Sequence, residues 1–190
     1  MASTHLEGMR VAVLATDHFE QSELTEPKNA LEEAGAEVFI LAPHAGEIQG
    51  MAHVDKADRV PVDMLLAEAD PEQFDAAVLP GGALNADHLR VVPEARSFIT
   101  QIDGAGKPVA VICHGPWLLV SAGLVRGRNI TSYHTIQDDL KNAGADWKDA
   151  EVVRDRNWVS SRKPDDLPAF NREMLALFGE HYAGRTARAA

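Results

Sequence analysis

The sequence predicts an α/β fold, a single doubly wound domain with a mostly parallel sheet covered by helices on both faces. Three observations carry this. Short apolar runs recur without polar alternation, as strands buried on both faces require. Stretches of helical periodicity separate them, the pattern that places strands in parallel. The chain of 190 residues holds no internal repeat, low-complexity tract or linker, so residues 1–190 read as one domain.

The elements follow in order. "MRVAVLAT" is a strand over Val11–Ala15. "SELTEPKNALEEAGAEV" is a helix with Leu24, Ala30, Leu31 and Ala34 on one stripe and Gly35 as its stop signal. Pro27 falls early in it, where proline is better tolerated. "EVFILAP" is the second strand, and "HAGEIQGMAHVDKADRVPVD" reads as an irregular excursion with short strands. "DMLLAEADPEQF" reads as a short helix and a turn, and "FDAAVLPGG" as a third strand. "EARSFITQIDGAG" is a helix with Phe98, Ile99 and Ile102 facing inward. "KPVAVIC" is the fourth strand and "PWLLVSAGLV" the helix after it. "RNITSYH" reads as a further strand, "TIQDDLKNAGA" as a helix, and "EVVRDRNWVSS" as a β-hairpin near the C-terminus. "DDLPAFNREMLALFGEHY" closes the fold, with residues 1–9 and 180–190 expected to be flexible tails.

Composition narrows the function classes. A net charge of −11 disfavours nucleic acid and anionic membranes as partners, despite the short basic end "GRTARAA". No apolar run reaches the length of a membrane span, and "MASTHLEGMR" lacks the apolar segment of a signal peptide. One cysteine cannot close a disulfide within the chain, which suits a reducing, cytoplasmic location. No metal is expected, because the eight histidines lack ligand spacing and one cysteine makes no zinc cage.

Open parallel sheets bind ligands beyond the carboxyl ends of their strands. Four loops meet that condition: "TDHFEQSE", "PGGALNADHLR", "CHGPW" and "SYHT". In "CHGPW", Pro116 suits a first helical position and Gly115 permits a tight turn. Cys113 then stands before a helix N-terminus, where the dipole and free N–H groups favour thiolate, in a geometry like a nucleophile elbow. The plainer alternative, a small buried hydrophobe, is outweighed by the Gly-Pro and by the strand end. Glu20 and Glu23 read either as solvated acids of a first helical turn or as carboxyls near the thiol, where a protonated one could donate to it. Gly81 and Gly82 could turn backbone N–H groups toward an oxyanion, or simply make a turn. His114 is adjacent to the cysteine, with His18, His88 and His134 as rival bases. Tyr133 and His134 could line a pocket, whereas Trp158 reads as packing.

"AVICHGPWLLVSAGLVRGR", "FDAAVLPGG", "NITSYHTIQDDLKNAGADW", "NWVSSRKPDDLPAFNREML" and "FEQSELTEP" together resemble the ThiJ/PfpI superfamily, and within it the PfpI-type intracellular-protease and general-stress-protein branch. The resemblance spans Arg10 to about Phe178. It implies a flavodoxin-like sandwich, Cys113 as nucleophile, Glu23 against the thiol with Glu20 near by, and His114 as the partner imidazole. It implies an oxyanion site at the N–H groups of Gly82 and His114. It also implies that an acid from a neighbouring subunit orients the histidine, for which Asp87 is the match. The resulting expectation is a cofactor-free, cysteine-dependent stress-response enzyme of glyoxalase, deglycase or peptidase type, in a homodimer or higher homo-oligomer such as a hexamer. A confined site roofed by Trp117, Tyr133 and His134 would suit a small carbonyl better than an unfolded peptide. The alternative is a non-enzymatic oxidative-stress sensor or protective chaperone whose Cys113 is oxidised to sulfenic or sulfinic acid.

Overall fold

The computed structural model describes residues 6–189, with side chains to residue 183. Strand β1 (Arg10–Leu14) leads through the two-residue β2 (Phe19–Glu20) into helix α1 (Gln21–Glu33). Gly35, at φ +97°, lets the chain leave α1 for β3 (Glu37–Ala42). Pro27 is the seventh residue of α1, past the tolerated first turn, and its missing N–H removes the helical partner of the Glu23 carbonyl.

The segment read as an irregular excursion is an antiparallel hairpin, β4 (Glu47–Ala52) and β5 (Asp55–Pro61), with β2 joined to β4. A bulge between Gln49 and Met51 breaks its register, and most of β5 is exposed, so no buried face marks it in the sequence. "DMLLAEADPEQF" forms no α-helix. It supplies the two-residue β6 (Met64–Leu65) and a 3-10 turn at Pro71–Gln73, capped by the Asp70 carboxylate on the Glu72 N–H.

Next come β7 (Ala76–Leu79) and α2 (Ala83–Leu89), a helix where the sequence reading has a loop. Then follow α3 (Pro93–Gly104), β8 (Val109–Ile112) and α4 (Pro116–Ser121). The expected strand "RNITSYH" shrinks to β9 (Asn129–Ile130), which pairs outside the main sheet with β10 (Asp146–Trp147), after α5 (Gln137–Asn142). Beyond Ile130 the backbone turns across the sheet end. Thr131 N–H donates to Ser160 Oγ at 3.0 Å and Tyr133 N–H to Cys113 O at 2.9 Å, so no strand partner remains to extend β9. The expected hairpin is β11 (Val152–Asp155) and β12 (Trp158–Ser161), and α6 (Leu167–Ala189) closes the chain.

The main sheet runs β11-β12-β8-β7-β1-β3-β6, parallel throughout except for β11. Its strands split their side chains between two cores. Val11 and Val13 of β1 and Ala110 and Ile112 of β8 pack with Leu24, Leu31, Phe170 and Phe178 of α1 and α6. Ala12, Leu14, Val109 and Val111 pack on the other face with Phe98, Ile99, Leu118 and Leu140 of α3, α4 and α5. This is the doubly wound sandwich that the alternation of elements predicts.

The chain ends differ from the expectation of tails. Leu6 and Met9 are fully buried, and α6 continues to Ala189. The Tyr182 hydroxyl donates to the Glu7 carbonyl at 2.9 Å, and Glu180 receives Arg154 at 2.7 Å. Residues 1–5 and 190 of the expected tails lie outside the described residues. Trp158 is packing, as expected: it is buried, lies under the Arg128 guanidinium, and donates from Nε1 to Asp103 at 2.7 Å.

Candidate active site

β8 ends at Ile112, and Cys113 takes a left-handed backbone at φ +62°. That conformation costs a residue with a Cβ on the order of 1 kcal/mol and persists only where the surroundings enforce it. Here they do. Cys113 N–H donates to Ser161 O at 3.1 Å, and Cys113 O accepts from Tyr133 N–H at 2.9 Å. Gly115 returns its N–H to Ile112 O at 2.9 Å, and a Cβ there would stand 2.7 Å from Leu79 O, so the turn admits only glycine. Pro116 then opens α4.

The twist brings neighbouring side chains together. His114 Nδ1 lies 3.2 Å from Cys113 Sγ. The His114 ring stacks on Tyr133 with centroids 5.0 Å apart and meets the Trp117 edge at 5.3 Å. Trp117 is itself held by Asp139, which accepts from Nε1 at 2.8 Å, and by the Arg90 guanidinium over its ring. His114 Nε2 reaches Thr135 Oγ1 only at 3.4 Å.

On the other side stands Glu23, fully buried in the first turn of α1. Its Oε2 accepts the Gly81 N–H at 2.9 Å, while Oε1 has no partner of full hydrogen-bond geometry. A Cβ at Gly81 would collide with that carboxyl and stand 3.0 Å from Sγ, which leaves glycine as the residue that lets thiol and carboxyl meet. Gly82, at φ +89°, packs against the backbone of His18 and Glu20, and its N–H and that of His114 point to the sulfur.

These surroundings correct the expectation of a simple low-pKa thiol. Burial, then the Glu23 charge, pushes the Cys113 thiol up; the two N–H groups pull it down. Glu23 is raised to about 8, first by burial and then by the Glu20 charge. Two acids this close do not both hold a negative charge. When the pair loses one proton, the N–H donors from Gly82 and His114 favour the charge on sulfur and the remaining proton on Glu23. Burial and the His134 charge lower the pKa of His114, which keeps its imidazole neutral and able to accept a proton.

The sulfur opens on a cavity of about 400 Å³. Glu20, Glu23, Gly82, Cys113, His114 and Tyr133 line it, as do His18, Met51, His53, Leu84 and Lys163, among others. Trp117 and His134, expected as roof, do not line it; both pack behind it through the rings of His114 and Tyr133. Gly81 also lies behind the lining. His88 is exposed on α2, away from the lining. Asp87 is likewise exposed on α2 and does not reach His114 within one chain. Met51 and His53, from the β4–β5 hairpin, and Lys163 escape the sequence reading. A left-handed His53 at the hairpin turn carries no pattern that a single sequence reveals. Among the described residues, no group of three or more His, Cys, Asp or Glu side chains is placed to hold a metal ion, and no helix is long and apolar enough to cross a membrane.

Comparison with known proteins places this geometry in context. The family model described as "DJ-1/PfpI family" matches residues 9–177. Deglycase TK1284 of Thermococcus kodakarensis is 47% identical over 169 residues, 89% of this chain and 99% of that protein. Protein/nucleic acid deglycase 2 of Escherichia coli is 45% identical over 175 residues, 90% of this chain and 98% of that protein. Among solved structures, a two-domain Anabaena variabilis protein with DJ-1/ThiJ/PfpI-like and ferritin-like domains superposes with a TM-score of 0.84 at 35% identity. The match covers 90% of this chain and 48% of that one.

Proposed function

This chain belongs to the DJ-1/PfpI family, and from that premise we propose that it is a cofactor-free cysteine enzyme acting on small electrophilic carbonyls, of glyoxalase or deglycase type. One observation carries the reading: Cys113, on a strained left-handed turn, has His114 Nδ1 at 3.2 Å and two backbone N–H groups at its sulfur. The names of the two deglycase relatives support it.

The chemistry balances without a cofactor. Cys113 sulfur adds to the aldehyde carbon of methylglyoxal, and the thiol proton passes to the new hydroxyl, giving a hemithioacetal. From an early amine adduct, sulfur displaces the amine, which takes the proton, and the same hemithioacetal forms. Neutral His114 then takes the proton from C1 and returns it at C2, so C1 is oxidised and C2 reduced within one molecule. Water cleaves the resulting thioester, releasing lactate and the thiol. The oxyanion is held by the N–H groups of Gly82 and His114. A cavity of about 400 Å³ has ample room for a substrate of this size.

His114 Nε2, with Thr135 Oγ1 as its weak contact, is the place for a carboxylate from a second copy. Asp87 is the candidate. It lies on the exposed face of α2 near the exposed apolar side chains of Leu84 and Val91. In this reading the enzyme is a homo-oligomer whose sites are completed across the interface.

The test is lactate production from methylglyoxal beside fluorogenic peptide cleavage, for wild type and Cys113→Ser. Lactate from the wild type alone is expected. Thiol-dependent cleavage of the peptide without lactate would assign a peptidase. Peroxide-driven sulfinic acid at Cys113, with neither substrate turned over, would assign a redox sensor.

A further inference from the structure

Four non-glycine residues adopt a left-handed backbone among the described residues: His18 at φ +68°, His53 at φ +57°, Cys113 at φ +62° and Arg156 at φ +53°. Three of the four line the same cavity. Arg156 is the exception, at the β11–β12 turn, where such a conformation is ordinary. A side chain held at positive φ is strained, and strain of this kind gathers where a side chain is aimed for use.

His18 is the best placed of these groups besides the nucleophile. Its N–H donates to Gln49 O at 2.7 Å, which pins the turn to the β4 strand. Its carbonyl sits against Gly82, so closely that a Cβ there could not fit, and Gly82 in turn gives its N–H to the Cys113 sulfur. The His18 backbone is thus tied to the sulfur through one residue. Its Nδ1 is sealed from solvent without a partner, while Nε2 is not sealed and makes no hydrogen bond within the described residues. A buried N–H without an acceptor costs more than a buried lone pair beside apolar atoms, so the neutral ring carries its proton on Nε2. The cavity that holds the His114 base therefore also has an N–H donor in its wall.

We propose that His18 is a further positioning residue of this site, whose Nε2–H binds the second carbonyl oxygen of the substrate held at Cys113. The assignment rests on the carbonyl chemistry of Cys113 described above. When the C1 proton leaves the hemithioacetal, its electron pair becomes the C1–C2 π bond. The former C2–O π pair then moves onto the C2 oxygen, where the His18 donor meets it. The proton returns to C2 and the C1 hydroxyl proton passes to the C2 oxygen, which leaves a hydroxyl on C2 and a carbonyl on C1, the thioester. A donor aimed at a developing oxyanion of this kind is worth roughly 10²–10³-fold in kcat.

The experiment compares His18→Asn with His18→Gln. Asparagine tolerates the left-handed backbone but places its amide near the position of Nδ1, short of the cavity. Glutamine extends its amide N–H to the position of Nε2. Lactate formation from methylglyoxal should fall about a hundredfold in kcat for His18→Asn, with KM little changed, and should return to within about fivefold of wild type for His18→Gln. Thermal melting and the rate of Cys113 alkylation by iodoacetamide verify that the fold and nucleophile are intact in both variants. Asparagine as active as wild type, or glutamine no better than asparagine, overturns the assignment. A wild type that makes no lactate overturns the carbonyl reading itself, and His18 with it; the two failures differ because the wild type is then silent.

Discussion

Glutamine at position 23 discriminates between the two charge states that Glu23 can hold beside the sulfur. The side chain keeps its shape and a donor, but loses both the carboxyl proton and the carboxylate charge. If Glu23 is ionised, it repels the thiolate. Both groups flank Gly81 and share a side-chain hydrogen bond, so their separation is at most about 5 Å, and Coulomb's law at an effective dielectric of about 20 gives at least about 3 kcal/mol. Removing that charge would lower the thiol pKa by about two units and raise the thiolate fraction roughly a hundredfold. If Glu23 is protonated, its O–H donates to the thiolate. A hydrogen bond to a charged acceptor is worth about 1.5–3 kcal/mol, against about 0.5–1.5 for an ordinary one. Exchange for an amide then costs about 1 kcal/mol, a fivefold loss of thiolate. With Glu23 raised to about 8, the second case holds at pH 6.5. The assay is alkylation by iodoacetamide followed by intact mass, which is unambiguous because Cys113 is the only cysteine. Glu23→Gln should react about fivefold more slowly than wild type. A variant that reacts faster refutes the shared-proton account.

Further outcomes follow from the same surroundings. A Glu23 with a pKa raised from 4.5 to about 8 stabilises the fold fully below pH 4.5 and loses that contribution as pH climbs through 8. Wild-type Tm should therefore drop more between pH 5 and pH 8 than the Tm of Glu23→Gln. Gly81→Ala forces the Glu23 carboxyl and the sulfur apart and should lower turnover at least a hundredfold while the protein still melts cooperatively. Asp87→Asn should reduce lactate formation without altering the mass of the assembly by sedimentation; a fully active monomer would defeat the cross-subunit role. Asp103→Ala strips the buried Arg128 of its 2.7 Å partner and the Trp158 Nε1–H of its acceptor, but leaves Asp155 at 3.6 Å from the guanidinium, so stability to urea should fall by about 1–3 kcal/mol while kcat holds.

The parts legible in the sequence were those whose physics is local. Buried parallel strands need continuous apolar runs, so β1, β3, β7, β8 and the β11–β12 hairpin stood out in the text of the chain. Cys113 and its Gly-Pro signalled a strand-to-helix turn, and the glycine pair marked the neighbouring strand end. The β4–β5 hairpin was obscure because β5 is a charged, exposed strand with no apolar face, and its bulge destroys alternation. The shortening of "RNITSYH" depended on the Ser160 hydroxyl, 29 residues away, capturing the Thr131 N–H. His18 could be seen as a candidate base but not ranked above His88 or His134, because its left-handed backbone and sealed Nδ1 exist only in three dimensions. The raised pKa of the thiol escapes the sequence for a related reason. A helix N-terminus is visible in a sequence, whereas the desolvation of Cys113 and Glu23 together is not.

The left-handed turns at positions 18, 53 and 113 carry an evolutionary consequence. At each of them glycine would relieve the backbone, so the substitutions that most ease the folded chain are the ones that erase the cavity's side chains. Selection for thermal endurance alone would drift toward an inert sandwich. Lineages that keep histidine and cysteine at these turns do so against a standing mutational pull, and laboratory stabilisation of this protein should hold all three positions fixed.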